Sequence, residues 1–173
     1  MKYTLLILTM ILCFSCKEEK KDAIAEAQIE TPNTLELEVH DFNGIKKYLT
    51  ATDDKTYVVN FWATWCAPCV KELPYFETLN SEYKAKDVEV ILISLDFPSK
   101  YESKLKPFIV DKKLQSKVVA LDDADANSWI PKVDESWSGA IPATVIFNKN
   151  KRKFYEKSFT YDELETELKQ FLN

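Results

Sequence analysis

The stretch from Tyr57 to Ala63 reads Tyr-Val-Val-Asn-Phe-Trp-Ala. Nearly continuous apolar character, rich in β-branched and aromatic residues, predicts a central strand buried on both faces. A helical pattern follows almost at once. From Ala67 to about Lys84, the residues Val70, Leu73, Phe76, Leu79 and Tyr83 recur at intervals of three and four. A buried strand that passes straight into an amphipathic helix predicts a sheet covered by helices. The chain from Leu35 onward repeats this grammar. Leu35, Leu37 and Val39 alternate with Glu36 and Glu38, as an edge strand does. Ile45 to Leu49 suits a short helix, Val88 to Leu95 a second buried strand, and Ser99 to Lys113 a helix with Leu105, Phe108 and Ile109 inward. Lys117 to Leu121 and Ala143 to Phe147 read as strands. The polar turn Asn148 to Arg152 then leads into Lys153 to Lys157, completing a hairpin. Thr160 and Glu163 have capping-box spacing before a helix faced by Tyr161, Leu164, Leu168, Phe171 and Leu172. The whole predicts an α/β domain over residues 35–173, a mixed sheet with helices on both faces.

Composition narrows the chemistry. Among 173 residues, 46% are hydrophobic and 29% charged, enough apolar surface to offset the entropy of ordering a domain. The glycines are Gly44 and Gly139 alone, which excludes a collagen-like chain, a dinucleotide-binding fingerprint and a P-loop. One histidine, His40, excludes a His-rich zinc site. A net charge of −5 argues against electrostatic binding of nucleic acid, and Lys149 to Lys153 is a charged hairpin turn, not a nucleic-acid patch.

The first residues follow a different logic. Lys2 precedes an apolar run from Leu5 to Phe14, about half of the ~20 residues needed to span a bilayer but the right size for the core of a signal peptide. The run ends at Ser15-Cys16, and a small residue before a cysteine at that point resembles a bacterial lipoprotein signal. Cys13 departs from that pattern, standing where an aliphatic residue is usual. An uncleaved anchor or an ordinary secretory peptide are the alternatives. The expected organisation is a signal peptide over 1–15, a lipidated Cys16 with a polar tether over 16–34, and the domain over 35–173. Cys16-Lys17-Glu18-Glu19 also resembles the surface-export signal of Bacteroidota lipoproteins, which would move the domain from the periplasm to the cell exterior.

Cys13 leaves with the signal and Cys16 carries lipid, so Cys66 and Cys69 remain as one pair. They lie in Trp65-Cys66-Ala67-Pro68-Cys69, where the central strand hands over to the helix. Unpaired N–H groups and the helix dipole at that end favour a thiolate, lowering a cysteine pKa from ~8.5 toward neutrality or below. Cys69 falls three residues on, on the same helical face, close enough for a disulfide. Pro68 sits in the first turn, where a missing N–H costs least. Cys66 is the expected nucleophile and Cys69 the resolving thiol of thiol–disulfide exchange, which needs no cofactor. Trp65, with Ala67 and Pro68, is the expected apolar docking surface for a partner polypeptide. A structural disulfide or half a metal site are the competing readings, although zinc takes four ligands and no second pair exists here.

The eleven residues Val59-Asn60-Phe61-Trp62-Ala63-Thr64-Trp65-Cys66-Ala67-Pro68-Cys69 resemble the active-site stretch of thioredoxin-fold proteins. They are most similar to the TlpA/ResA-type membrane-tethered thiol–disulfide oxidoreductases. The resemblance implies a thioredoxin-like mixed sheet with a central insertion, in which Pro74 is the kinking proline of the active-site helix. It makes Pro142 a cis-proline facing the cysteines, with Ile141 pairing its backbone to a bound partner. It implies that Glu72, three residues after Cys69, influences the active-site thiols; the alternative is a solvated helix carboxylate. Asn60 departs from the buried aspartate of many thioredoxins, is expected as a hydrogen-bonded core group, and leaves Glu72 as the candidate proton acceptor for Cys69. Between Leu95 and Pro142 lie 46 residues, and Trp129 to Gly139 within them is expected to border the site, its tryptophans packing in the core or at its rim. The resemblance further implies a monomeric reductase outside the cytoplasm, tied to the membrane by its lipid. Its substrates would be cysteine pairs of exported proteins such as apocytochrome c, and its electrons would come from a membrane thiol donor. An oxidase or isomerase on the same fold, a copper-binding chaperone using the pair, and a peroxiredoxin-like peroxidase stay open, the last weakened because its reactive cysteine normally stands without a CxxC partner.

Overall fold

The computed structural model describes residues 35–172. The signal peptide, the lipidation site at Cys16 and the tether read over 16–34 lie outside the described residues. In chain order the elements are β1 (Glu38–His40), α1 (Phe42–Ile45), β2 (Thr56–Trp62), α2 (Ala67–Tyr83), β3 (Val88–Ser94), α3 (Lys106–Lys112), β4 (Lys117–Leu121), α4 (Ala126–Val133), β5 (Ala143–Phe147), β6 (Arg152–Tyr155) and α5 (Tyr161–Lys169). The strands form one sheet in the order β1-β4-β3-β2-β5-β6. The first four of that order run parallel, while β5 is antiparallel to β2 and β6 antiparallel to β5.

Alternation along the strands sorts the core into two halves. Val58 and Trp62 of β2, Val90 and Leu92 of β3 and Ile146 of β5 face one side. There they pack against Leu73, Phe76 and Leu79 of α2, Ile109 of α3, and Leu164 and Leu168 of α5. Val59 and Phe61, Ile91 and Ile93, and Val145 and Phe147 face the other side, covered by Phe42 and Ile45 of α1, Trp129 and Val133 of α4, and Trp137. β2 is therefore sandwiched on both faces, which explains why its sequence lacks polar alternation. The final helix carries its expected capping box: Thr160 Oγ1 accepts from the Glu163 N–H, and the Glu163 carboxylate accepts from the Thr160 N–H.

Three elements differ from the sequence expectation. The short helix expected over Ile45 to Leu49 starts earlier, as α1, because the Asp41 side chain caps it by accepting from the Gly44 N–H, and it continues only as a 3-10 turn at Lys46–Tyr48. The first strand is only Glu38–His40, although Leu35 and Leu37 still pack on the core. Glu38 lies opposite Val119, and β4 begins at Lys117, so little of the neighbouring ladder remains to extend β1 backward. The helix expected over 99–113 is broken into a 3-10 turn at Pro98–Lys100, a widened π-type turn at Tyr101–Leu105, and α3. Pro107 has no N–H to return to the Ser103 carbonyl and its ring crowds that group, so the turn before it opens.

The packing makes a stability contrast measurable. Leu168→Ala, in a fully buried position of α5, should lower the unfolding free energy by about 2–5 kcal/mol in denaturant titration. Val39→Ala, on the exposed edge strand, should stay within about 0.5 kcal/mol of the parent. Equal effects at the two positions would contradict the two-sided core.

Candidate active site

β2 ends at Trp62, and a tight turn carries the chain to Cys66, whose N–H donates to the Ala63 carbonyl at 3.1 Å. Cys66 is the N-cap of α2, with the Cys69 N–H directed at its Sγ at 3.3 Å. Pro68 in the first turn has no N–H, so this amide is one of the few donors available at the helix start. Cys66 and Cys69 form a disulfide, S–S 2.00 Å, with their Cα atoms 5.3 Å apart. Cys66 retains 6% exposure while Cys69 has none, so a partner reaches the first sulfur before the second. Ala67 and Pro68 are exposed, and Trp65 stands 58% exposed beside them.

A polar clasp fixes the approach to the cysteines. Asp96, buried just beyond β3, accepts from the Thr64 N–H at 2.9 Å and the Thr64 hydroxyl at 2.5 Å. The Ser94 hydroxyl donates to the same carboxylate at 2.9 Å. On the opposite side, the Ile141-Pro142 bond is cis, and the Ile141 carbonyl oxygen lies 3.7 Å from Cys66 Sγ. That loop is anchored by Trp137, whose indole N–H donates to the Ala140 carbonyl at 2.8 Å. Gly139 has φ +93°, a conformation in which a Cβ would also press on Ile130.

Beneath the pair, one turn along α2 from Cys69, Glu72 is 1% exposed. One carboxyl oxygen accepts from Asn60 Nδ2 at 3.1 Å, the other from the Phe159 N–H at 2.7 Å. Asn60 lies opposite Thr144 in the β2–β5 register, and its Nδ2 also donates to the Thr144 hydroxyl at 3.1 Å. Burial pushes the Glu72 pKa up to about 7, against the opposing pull of the Phe159 N–H and the Asn60 amide. An acid poised there can exchange protons near neutral pH beside a thiol pair.

The structure thus gathers Trp65, Cys66, Ala67, Pro68, Cys69, Ile141 and Pro142 around one disulfide, with Glu72 buried behind it. Asn60 is fully buried and hydrogen-bonded, as its sequence context suggests. His40 closes β1 at the far edge of the sheet, beside Glu38. Trp129 and Trp137 pack edge to face in the core, ring centroids 5.6 Å apart. Sequence reasoning did not single out Asp96, Thr144, Phe159 or the indole contact of Trp137. Asp96 carries a usable signal, since residues just past the C-terminal ends of parallel strands gather at the sites of open α/β sheets. Thr144 is placed by strand register, Phe159 acts through its main-chain N–H, and Trp137 donates its indole N–H to a main-chain carbonyl, none of which leaves a pattern in the sequence.

A family model described as the AhpC/TSA family matches residues 30–152. The chain is 36% identical over 124 residues to the thiol-disulfide oxidoreductase ResA of Bacillus thuringiensis, covering 61% of this chain and 67% of that protein. It is 37% identical over 112 residues to the protein of the same name from Bacillus cereus, covering 60% of each chain. Its match thus spans between three fifths and two thirds of the length of these two relatives. A solved structure, the thiol:disulfide interchange protein of the thioredoxin family from Chlorobium tepidum, superposes with a TM-score of 0.59 at 18% identity. It covers 75% of this chain and 85% of that one, a likeness of fold.

The buried acid has a thermodynamic signature. Its folded pKa of about 7 exceeds the ordinary 4.5, so the folded chain keeps a proton that the unfolded chain has released between those pH values. Stability therefore falls as pH rises through this window, and the cost is full above it. In the oxidised protein, Glu72→Gln should gain stability relative to wild type from pH 4.5 to 7, by about 3 kcal/mol, and level off above. Denaturant titrations across pH 4 to 8.5 read this directly; a difference that does not change with pH would mean that Glu72 titrates like a surface carboxylate.

Proposed function

This chain belongs to the AhpC/TSA family, and we propose that it is a thiol–disulfide oxidoreductase that works as a reductase on cysteine pairs of exported proteins. The observation that carries the reading is the Cys66–Cys69 disulfide at the start of α2, with the Cys69 N–H aimed at Cys66 Sγ. In the reduced chain that N–H and the helix start stabilise a Cys66 thiolate. The thiolate attacks one sulfur of a partner disulfide, and the partner's other sulfur leaves as a thiolate. Cys69 then gives up its proton and attacks Cys66 Sγ, releasing the partner's second thiol. Two electrons have passed to the partner, and the chain is left with its own disulfide.

Glu72 is the acceptor for the Cys69 proton. It lies on the same helix one turn away and is closed off from water, and its raised pKa matches the task. Ile141 and the cis Pro142 support the partner's backbone across from Cys66, and Trp65, Ala67 and Pro68 form the surface that receives it. A lipid on Cys16, followed by a tether over residues 17–34, would hold the domain at the outside of a bacterial membrane. There a membrane thiol donor renews the electrons and substrates such as apocytochrome c are within reach. The names of the two relatives, thiol-disulfide oxidoreductase ResA, support the class of reaction.

The direction of electron flow is read from the reduction potential of the full-length chain in detergent. A value near or below about −250 mV is expected; one between about −120 and −180 mV would make the chain an oxidase or isomerase. Cys69→Ser should accumulate a one-to-one mixed disulfide with a partner, while Cys66→Ser should trap none. Trapping by the Cys66 variant instead would reverse the two roles.

A further inference from the structure

Phe97 has no part in the exchange chemistry, yet it is 63% exposed, the highest value among the exposed large apolar residues. Its ring stacks on Trp65, centroids 6.4 Å apart and planes 23° from parallel. Trp65 is itself 58% exposed and precedes Cys66 directly. Among the described residues, the other exposed large apolar side chains, Val39 and Val110, stand on β1 and α3 away from this ring pair. Single exposed apolar residues need no explanation, but a contiguous aromatic surface beside a reactive sulfur marks a contact area.

The surface is stiff. Phe97 lies between the buried Asp96, which is hydrogen-bonded to Thr64 and Ser94, and Pro98, whose ring fixes the following backbone. The Phe97 carbonyl accepts from the Lys100 N–H at 2.7 Å. The Asp96 clasp joins the β3 loop to the turn that carries Trp65, so the backbone segments bearing both rings are tied together by one buried carboxylate. A rigid aromatic surface loses little entropy when covered.

Sheet order says where a partner would run. β2 delivers Cys66; its neighbour β3 delivers Phe97, and its other neighbour β5 carries the Ile141-Pro142 loop. Cys66 therefore sits between an aromatic shelf on one side and the Ile141 backbone carbonyl on the other. A polypeptide crossing the sheet end in extended form would meet the Ile141 carbonyl with its backbone and the Trp65–Phe97 rings with a side chain near its own cysteine.

We propose that Phe97 is a specificity-determining residue, which with Trp65 selects extended polypeptides carrying a leucine- or phenylalanine-class side chain next to the reactive cysteine. This rests on the reductase reading above. Phe97 acts on substrate choice by covering that apolar side chain on one face.

The test uses the full-length chain, reduced beforehand and freed of reductant, in single turnover. Its substrates are disulfide-linked dimers of an eight-residue peptide with one cysteine, flanked either by leucines or by serines. Each turnover converts one dimer to two peptide thiols and the chain to its Cys66–Cys69 disulfide. Wild type should reduce the leucine dimer about tenfold faster than the serine dimer. Phe97→Ser should bring that ratio to within about twofold, Phe97→Leu should keep most of it, and Val110→Ser should leave it at the wild-type value. A wild-type ratio near one, or a Phe97→Ser ratio equal to wild type, overturns the proposal. Bis(2-hydroxyethyl) disulfide separates the two levels of the argument: wild type that reduces it but shows no leucine preference refutes the shelf alone. Wild type that reduces neither it nor the peptides refutes the reductase reading and the shelf with it.

Discussion

Everything at the site hangs on β2. It is hydrogen-bonded to β3 on one side and β5 on the other, and side chains cover both of its faces. A strand held in this way has no freedom to shift or twist, because a slip of one residue would turn Val59 and Phe61 from one half of the core into the other. The same register sets Asn60 opposite Thr144 and brings the chain out at Trp62 in a fixed direction. Cys66 inherits that rigidity, since only a short turn separates it from the strand and the Thr64–Asp96 clasp ties the turn to the next loop.

Polarity inside this frame is confined to a few groups: the Glu72 and Asp96 carboxyls are hydrogen-bonded, whereas among the described residues Asn60 Oδ1, the Trp62 indole N–H, the Tyr101 hydroxyl and Ser116 Oγ lack a protein partner. Glu72 carries a clear electrostatic cost, as a carboxyl almost without solvent contact whose hydrogen bonds offset only part of its desolvation. A core built for stability alone would place an apolar residue there, in line with Leu73 and Phe76. A titratable group kept under these conditions fits a chemical task better than a packing one. The asymmetry of the cysteines fits the same logic: Cys66 keeps a little exposure, and the fully enclosed Cys69 lies a turn from the acid.

Much of this was legible in the chain itself, and for identifiable reasons. Strand β2 and helix α2 declare themselves through unbroken apolar character and three-four spacing, both local signals. Thr160 and Glu163 announce α5 because a capping box is completed within four residues. For Glu72 the resemblance pointed to the thiols while a solvated helix carboxylate stayed open, and only the packed fold shows the side chain to be buried. The segment after β3 was harder. Its residues have helical spacing, but Pro98 and Pro107 impose their own backbone demands and split the helix into three kinds of turn. The partners of Glu72 and Thr64 were hidden for another reason: Phe159 and Asp96 lie 87 and 32 residues away, and their contacts exist only once the sheet has formed.

The Phe159 contact reaches further than the geometry of one acid. Phe159 follows β6 and lies 87 residues after Glu72, so the amide that holds Glu72 is synthesised long after the helix that carries the acid. Until that segment docks, Glu72 lacks this donor and part of its shelter from water, and it remains an ordinary carboxylate. The thiol pair is therefore made long before the buried acid beside it is tuned. A copy interrupted before Phe159 would present two cysteines with an untuned acid.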